Sequence, residues 1–222
     1  VVLYRTNAQS RSLEEQFLKS GIPYKLIGGV SFYQRKEIKD VLSYLRLQQN
    51  PQDSVALKRA EKIGKGRLSR VLELYDSGQA RMTEYSTLDL LDQVLAKTNY
   101  LDYLDDKTEE GKSRIENVKE LRSVAEEFPN LTEFLENVSL VESGYDKKFT
   151  GDAVTLMTLH NAKGLEFPVV FMVGMEEGLF PHVNSLNNKK DLDEERRLAY
   201  VGITRAKEKL FLSFANFRTI FG

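Results

Sequence analysis

The feature that most constrains this chain is an alternation of strand and helix that stops near residue 50 and resumes near residue 153. Residues 1–4 are apolar and give way to the polar Arg5-Thr6-Asn7. Leu13, Phe17 and Leu18 follow at helical spacing, with Ser10 or Ser12 placed to cap the helix and Ser20-Gly21 to stop it. Residues 24–27 read as a second strand closed by Gly28-Gly29, and Ile38, Val41, Leu42 and Leu45 as a second amphipathic helix ended by Asn50-Pro51. The same grammar returns at 153–159 and 169–173, the latter a continuous apolar run of the kind found in buried parallel strands. A charged helix at 193–206, interrupted by Gly202, and a last strand at 210–214 complete it.

The middle is different. Leu88, Leu91 and Leu95 mark one helix face, Ile115, Val118, Leu121, Val124 and Ala125 another, and Leu131, Phe134, Leu135 and Val138 a third with Asn130 as its cap. Strand signal is nearly absent there. The expected fold class is α/β, a parallel-sheet domain interrupted by an inserted all-helical domain. The expected boundaries are 1–50 and 147–222 for the two parts of the α/β domain and 51–146 for the insertion.

Composition removes several classes of function. The chain has 222 residues and no cysteine, so disulfides, thiolate zinc sites and cysteine nucleophiles are excluded. Two histidines, His160 and His182, make a histidine-rich metal site an unpromising reading, and no metal ligand is assigned. A net charge of -1 does not suit a nucleic-acid coat protein, but a motor gripping DNA through local contacts can be near neutral. No apolar run approaches the roughly 20 residues of a membrane span. The N-terminus lacks the pattern of a signal peptide, which makes the cytoplasm the default location. The chain opens at Val1 inside a strand and without an initiator Met, so it is expected to be a fragment.

Gly111-Lys112-Ser113 resembles the end of a phosphate-binding loop, but Asp106 stands where the first glycine should be and no strand precedes it. A helix start explains these residues better. Two other stretches carry more information. TLMTLHNAKGLEFPVVF, residues 155–171, reads as strand, polar turn and strand, with His160, Lys163 and Glu166 three apart. On a helical turn that spacing shares one broad face, and ligands of α/β sheets gather at carboxyl ends of strands. An ordinary charged turn fits equally well. EERRLAYVGITRAKEKLFL, residues 194–212, places Arg205 near a helix end just before a strand. There its planar fork can reach a phosphate across an interface, or it can pair with Glu194 or Glu195.

Both stretches resemble helicase motifs. TLHNAKGLEF with VVFMVGMEEGLFPH is similar to motif V of PcrA/UvrD/Rep-type superfamily 1 DNA helicases, and EERRLAYVGITRAKEKLFLS to their motif VI. VVLYRTNAQSR, GGVSFYQRKEIKDVLSYLR and the terminal RTIFG resemble further parts of the second motor domain; together these cover roughly half of the chain. The resemblance implies a RecA-like domain, 2A, interrupted by a helical domain, 2B. It implies a motor that walks 3′ to 5′ on single-stranded DNA, with ATP and Mg2+ bound mainly by an N-terminal RecA-like domain outside this chain.

By motif position Arg205 corresponds to the arginine finger. Glu166 corresponds to the acid on the nucleotide ribose, with Gly164 beside it at the ATP site. Arg5, Asn7 and His160 correspond to residues at single-stranded DNA, Lys163 to a residue linking the DNA and nucleotide sites, and Phe221 to an aromatic lining a base pocket. A glycine-centred turn that contacts duplex backbone in the family corresponds to Lys62-Ile63-Gly64-Lys65-Gly66, followed by a helix at 67–75. The family's first glycine is Lys62 here, and Gly64, Lys65 and Arg67 are left to meet a phosphate. The insertion is also shorter than the family's.

The implied partners are single-stranded DNA and single/double-strand junctions, the N-terminal RecA-like domain, and repair or transcription proteins, with no membrane. The implied enzyme is a DNA-stimulated ATPase of which this fragment alone is inactive. A non-catalytic helicase-like module binding DNA or protein is the alternative reading, and a nuclease-fused relative a third.

Overall fold

The computed structural model describes residues 1–78, 85–145 and 151–218. These residues fall into two compact units, one from the 1–31 and 147–218 segments and the other from 32–146.

The first unit is a five-stranded sheet in which every recorded pairing is parallel. Its strands are β1 (Val2–Tyr4), β2 (Tyr24–Ile27), β3 (Val154–Thr158), β4 (Phe167–Met172) and β5 (Ala206–Leu212), in the order β2-β3-β1-β4-β5. The two sequence segments interleave, because β1 lies between β3 and β4. Neither half makes the sheet without the other.

Alternation in the strands decides which face each side chain takes. Val2, Tyr4 and Leu156 point to one layer, where they meet Leu13 and Phe17 of helix α1 (Ser10–Lys19). Leu3, Met157, Val170 and Met172 point to the other, under Leu198 of helix α9 (Lys189–Ile203). Gly202 does not interrupt α9, as its poor helix propensity suggested. It is the buried penultimate residue, and an added Cβ would sit 2.5 Å from Leu159 Cδ2 and 2.7 Å from Met172 Cε. Glycine is there so that helix backbone can lie close on the sheet.

The second unit holds α2 (Lys36–Gln49), α3 (Ser54–Ile63), α4 (Lys65–Gly78), α5 (Thr87–Thr98), α6 (Tyr100–Leu104), α7 (Glu109–Glu127) and α8 (Leu131–Tyr145). No strand occurs among its described residues. Asn130 caps α8, its side chain accepting from the amides of Thr132 and Glu133 at 2.9 and 3.3 Å. The Gly111-Lys112-Ser113 stretch is the first turn of α7, where the Thr108 hydroxyl accepts from Gly111 N–H at 3.0 Å.

Helix α2, grouped in sequence with the α/β segment, is central to this unit. Ile38, Val41, Leu42, Tyr44, Leu45 and Leu47 are all buried, and so are Glu37, Asp40 and Gln48. A helix covered on all sides must satisfy its polar groups internally. Asp40 accepts from Tyr100 Oη at 2.8 Å and Arg59 Nε at 2.7 Å, and Gln48 Nε2 donates to the Val71 carbonyl at 2.7 Å.

Candidate functional site

The residues singled out in the 155–171 stretch do not share one face. The segment 159–166 leaves the carboxyl end of β3 and reaches the amino end of β4 through successive turns, pinned by buried Leu159 and Ala162. Since the strands are parallel, His160 stands at the carboxyl edge of the sheet and Glu166 at the amino edge. Lys163 and Gly164 lie between. Gly164 has φ +83° and nothing within 4 Å of an added Cβ, so its requirement is conformational rather than steric.

At the amino edge, Arg205 and Glu166 are brought together by the sheet itself. Phe167 N–H donates to the Arg205 carbonyl at 2.8 Å, which sets the two preceding-strand positions side by side. The Arg205 guanidinium donates from Nε to the Val201 carbonyl, from Nη1 to the Leu165 carbonyl and from Nη2 to Thr204 Oγ1, each at 2.9 Å. Among the described residues no carboxylate pairs with it. The salt bridge that sequence offered, to Glu194 or Glu195, is not formed. Glu194 pairs with Arg197 at 2.7 Å, and Glu195 lies roughly 12 Å up the helix axis from Ile203. Glu166 pairs with Lys207 at 3.3 Å through side chains that are both more than half exposed. Such a pair contributes at most about 1 kcal/mol and is easily displaced.

At the carboxyl edge, Arg5 follows β1 and grips Glu195. Its Nε is 3.0 Å from both carboxylate oxygens and Nη2 is 2.7 Å from Oε1. Glu195 is buried and also accepts from the His182 amide at 3.0 Å. Burial pushes the Glu195 carboxyl up, but the Arg5 and His182 hydrogen bonds and the Arg5 charge outweigh it, and the group sits below its ordinary value. Partial desolvation and the Arg5 charge hold the imidazole of the otherwise exposed His160 below its own, against a smaller opposite pull from Glu195 and Glu194.

Asn7 begins a 3-10 turn, Asn7–Gln9, which precedes α1 in place of the serine cap. The turn is held by Gln9, whose Oε1 accepts from the amides of Arg5 and Thr6 at 2.8 and 2.9 Å. An added Cβ on Gly174 would fall 2.5 Å from Gln9 Nε2.

No motif marks Gln9, and the partner of Glu195 is Arg5 rather than Arg205, the one alternative the sequence left open. The signal for Glu195 is a buried carboxylate on a charged helix, which needs a cation, and Arg5 is 190 positions away in sequence.

The remaining expected residues lie elsewhere. Gly64 (φ +153°) is the single residue joining α3 to α4, and its carbonyl accepts from the amides of Arg67 and Leu68. Lys65 opens α4, largely exposed and 3.7 Å from Glu61. Arg67 is already engaged. Its guanidinium lies 4.3 Å from the Tyr103 ring centroid and its Nε donates to the Thr98 carbonyl at 3.1 Å. Phe221 lies outside the described residues.

The UvrD-like helicase C-terminal domain family matches this chain over residues 1–88 and 73–217. The chain belongs to the UvrD-like helicase C-terminal domain family. Among its relatives, the ATP-dependent DNA helicase PcrA of Bacillus subtilis is 40% identical over 273 residues, an alignment that takes in 100% of this chain and 37% of that protein. The PcrA proteins of Staphylococcus epidermidis and Staphylococcus aureus are each 40% identical over 271 residues, with the same coverage. This UvrD-like domain thus spans 37% of the length of those relatives. The alignments run over more positions than the 222 residues here, so the relatives carry segments that this UvrD-like chain lacks. No helix among the described residues is long and apolar enough to cross a membrane.

Proposed function

We propose that this chain is the 2A and 2B portion of an ATP-driven motor that moves 3′ to 5′ on single-stranded DNA. The α/β unit is the 2A part and the helical insertion the 2B part. The observation that carries the reading is that Arg205 and Glu166 stand on adjacent strands at the amino edge of β4 and β5, with a guanidinium free of any carboxylate among the described residues. A phosphate and a ribose hydroxyl are the ligands that such an arginine and such an exposed acid suit.

In this reading Arg205 is the arginine finger, stabilising charge on the transferred phosphoryl group. Glu166 and Gly164 meet the rest of the nucleotide. Arg5, Asn7 and His160 face single-stranded DNA at the opposite edge, and Phe221 stacks on a base; stacking ignores sequence, as a translocating motor requires. Lys163, on the turn that runs from one edge to the other, links the two. Gly64 and Lys65 contact duplex backbone through the α3–α4 turn.

ATP is bound with Mg2+, whose ligands belong to an N-terminal RecA-like domain. Among the described residues no group of three or more His, Asp or Glu side chains could hold a metal ion. In this reading the chain alone, without the phosphate-binding loop of that domain, is inactive as an ATPase. Its partners are that domain, single-stranded DNA and strand junctions, and repair or transcription proteins.

The test is ATP hydrolysis by the full-length gene product, with and without single-stranded DNA, for wild type and Arg205→Ala, with nucleotide binding measured in parallel. The expected result is DNA-stimulated hydrolysis that falls by about a thousandfold or more in the variant while nucleotide still binds. Stimulated hydrolysis untouched by the substitution would remove Arg205 from the mechanism. No hydrolysis by folded wild type would favour a non-catalytic DNA- or protein-binding module.

A further inference from the structure

A guanidinium has five N–H donors, one on Nε and two on each Nη. In Arg205 three of them are engaged, one from each nitrogen, by the Val201 carbonyl, the Leu165 carbonyl and the Thr204 hydroxyl. One donor on Nη1 and one on Nη2 remain. Two donors from one planar group are what a bidentate grip on a phosphate uses. The side chain is thus anchored on three nitrogens without exhausting its capacity for a ligand.

Two of the anchors are backbone carbonyls, which the fold supplies whatever the side chains. The third is the Thr204 side chain. Its Oγ1 lies 3.0 Å from the carbonyls of both Tyr200 and Val201 and has one proton to give. Donating that proton backward into α9 leaves oxygen lone pairs for Arg205 Nη2. A β-branched side chain is also stiff about χ1. Thr204 closes the C-terminus of α9, so helix end, hydroxyl and guanidinium form one connected unit.

Resting on the reading of Arg205 as the phosphate-binding arginine, we propose that Thr204 is a positioning residue that preorganises its guanidinium. Without the hydroxyl, Nη2 loses its only anchor among the described residues, and the long side chain must be ordered by the ligand at the moment of reaction. Preorganised donors contribute most to turnover because they need no rearrangement as charge develops.

The experiment is a double-mutant cycle in the full-length gene product. DNA-stimulated ATP hydrolysis is compared for wild type, Thr204→Val, Thr204→Ser, Arg205→Ala and the Thr204→Val/Arg205→Ala pair, with melting temperatures recorded. Thr204→Val keeps the shape and removes the hydroxyl, and is expected to lower kcat about ten- to thirtyfold. KM for ATP should stay within about twofold, since the loss falls on the transition state. Thr204→Ser should restore kcat, and Thr204→Val should add nothing once Arg205 is alanine. Thr204→Ala serves as a second hydroxyl-free variant if the valine protein does not fold.

A Thr204→Val enzyme as fast as wild type, beside a collapsed Arg205→Ala, would reject Thr204 and leave the arginine's role standing. Losses that multiply in the double variant would reduce Thr204 to a helix cap and overturn the proposal. An unaffected Arg205→Ala would remove the reading of Arg205 itself, and the proposal with it.

Discussion

Glu195 holds Arg5 in a forked ion pair that joins the loop after the first strand to the helix ending just before Arg205. The carboxylate is buried, so it is not a surface partner that salt or solvent easily replaces. Removing it leaves Arg5 without its forked acceptor and leaves the His182 amide unbonded by Glu195. Glu195→Gln keeps the size and one acceptor but loses the charge. It should destabilise the domain by about 1–3 kcal/mol and loosen the loop that presents Arg5 and Asn7. Urea unfolding of this chain checks the first, and single-stranded DNA affinity of the full-length protein the second. A variant with unchanged unfolding midpoint and affinity would rule this out.

The same carboxylate gives the fold a pH dependence of known sign. Its folded pKa is lowered from the ordinary 4.5 despite burial. Above 4.5 both folded and unfolded forms are ionised, and the stabilisation is fully present. It is lost as pH falls through the lowered folded value. Stability against pH should therefore decline on the acid side, and Glu195→Gln should flatten that decline. Parallel slopes for the two proteins would contradict the assignment.

Gly174 supports the same loop from the other side. Its φ of +72° is strained for any L side chain, and a Cβ there would press on Gln9 Nε2. Gly174→Ala should cost about 1–3 kcal/mol and displace the Gln9 side chain that orders the Arg5 and Thr6 amides. Faster hydrogen exchange at those two amides is the specific expectation. Exchange unchanged at both would show that Gln9 accommodates the methyl group.

In the helical unit, Tyr100→Phe tests how far the buried polar contacts of α2 matter. The hydroxyl donates at 2.8 Å to Asp40, which is buried and, among the described residues, keeps only Arg59 as a side-chain donor once it is gone. The substitution should destabilise by about 1–3 kcal/mol without touching the α/β unit. Unfolding followed by circular dichroism measures the total, and hydrogen exchange shows whether the loss is confined to residues 32–145.

Much of the fold was legible because the two periodicities differ. Val2, Tyr4 and Leu156 against Leu3 and Met157 is a period-two pattern, and Leu88, Leu91 and Leu95 is a helical one. Strand order was not legible, since the insertion of β1 between β3 and β4 depends on contacts more than 150 residues apart. The depth of α2 was also hidden. Its apolar residues mark one stripe, while the burial of Glu37, Asp40 and Gln48 depends on partners in other helices. At the candidate site the motifs marked Arg205, Glu166 and His160, but equal spacing along the chain concealed that the last two stand at opposite edges. Gly202 and Thr204 read as weak helix formers. In three dimensions one makes room for the sheet and the other holds a guanidinium.

The division of residues between the two ends of one parallel sheet has a mechanical consequence. β4 is six residues long, and a strand of that length measures roughly 20 Å. Hydrogen-bonded strands stretch very little, and Gly202 of α9 is pressed onto Leu159 and Met172 of the core. In the proposed motor the sheet is then a stiff beam with fuel at one end and track at the other. If Arg205 binds phosphate and Arg5 binds DNA as proposed, a tilt at one end of so stiff a sheet would be carried to the other, and the length of a step would follow the turning of the domain more than bending within it.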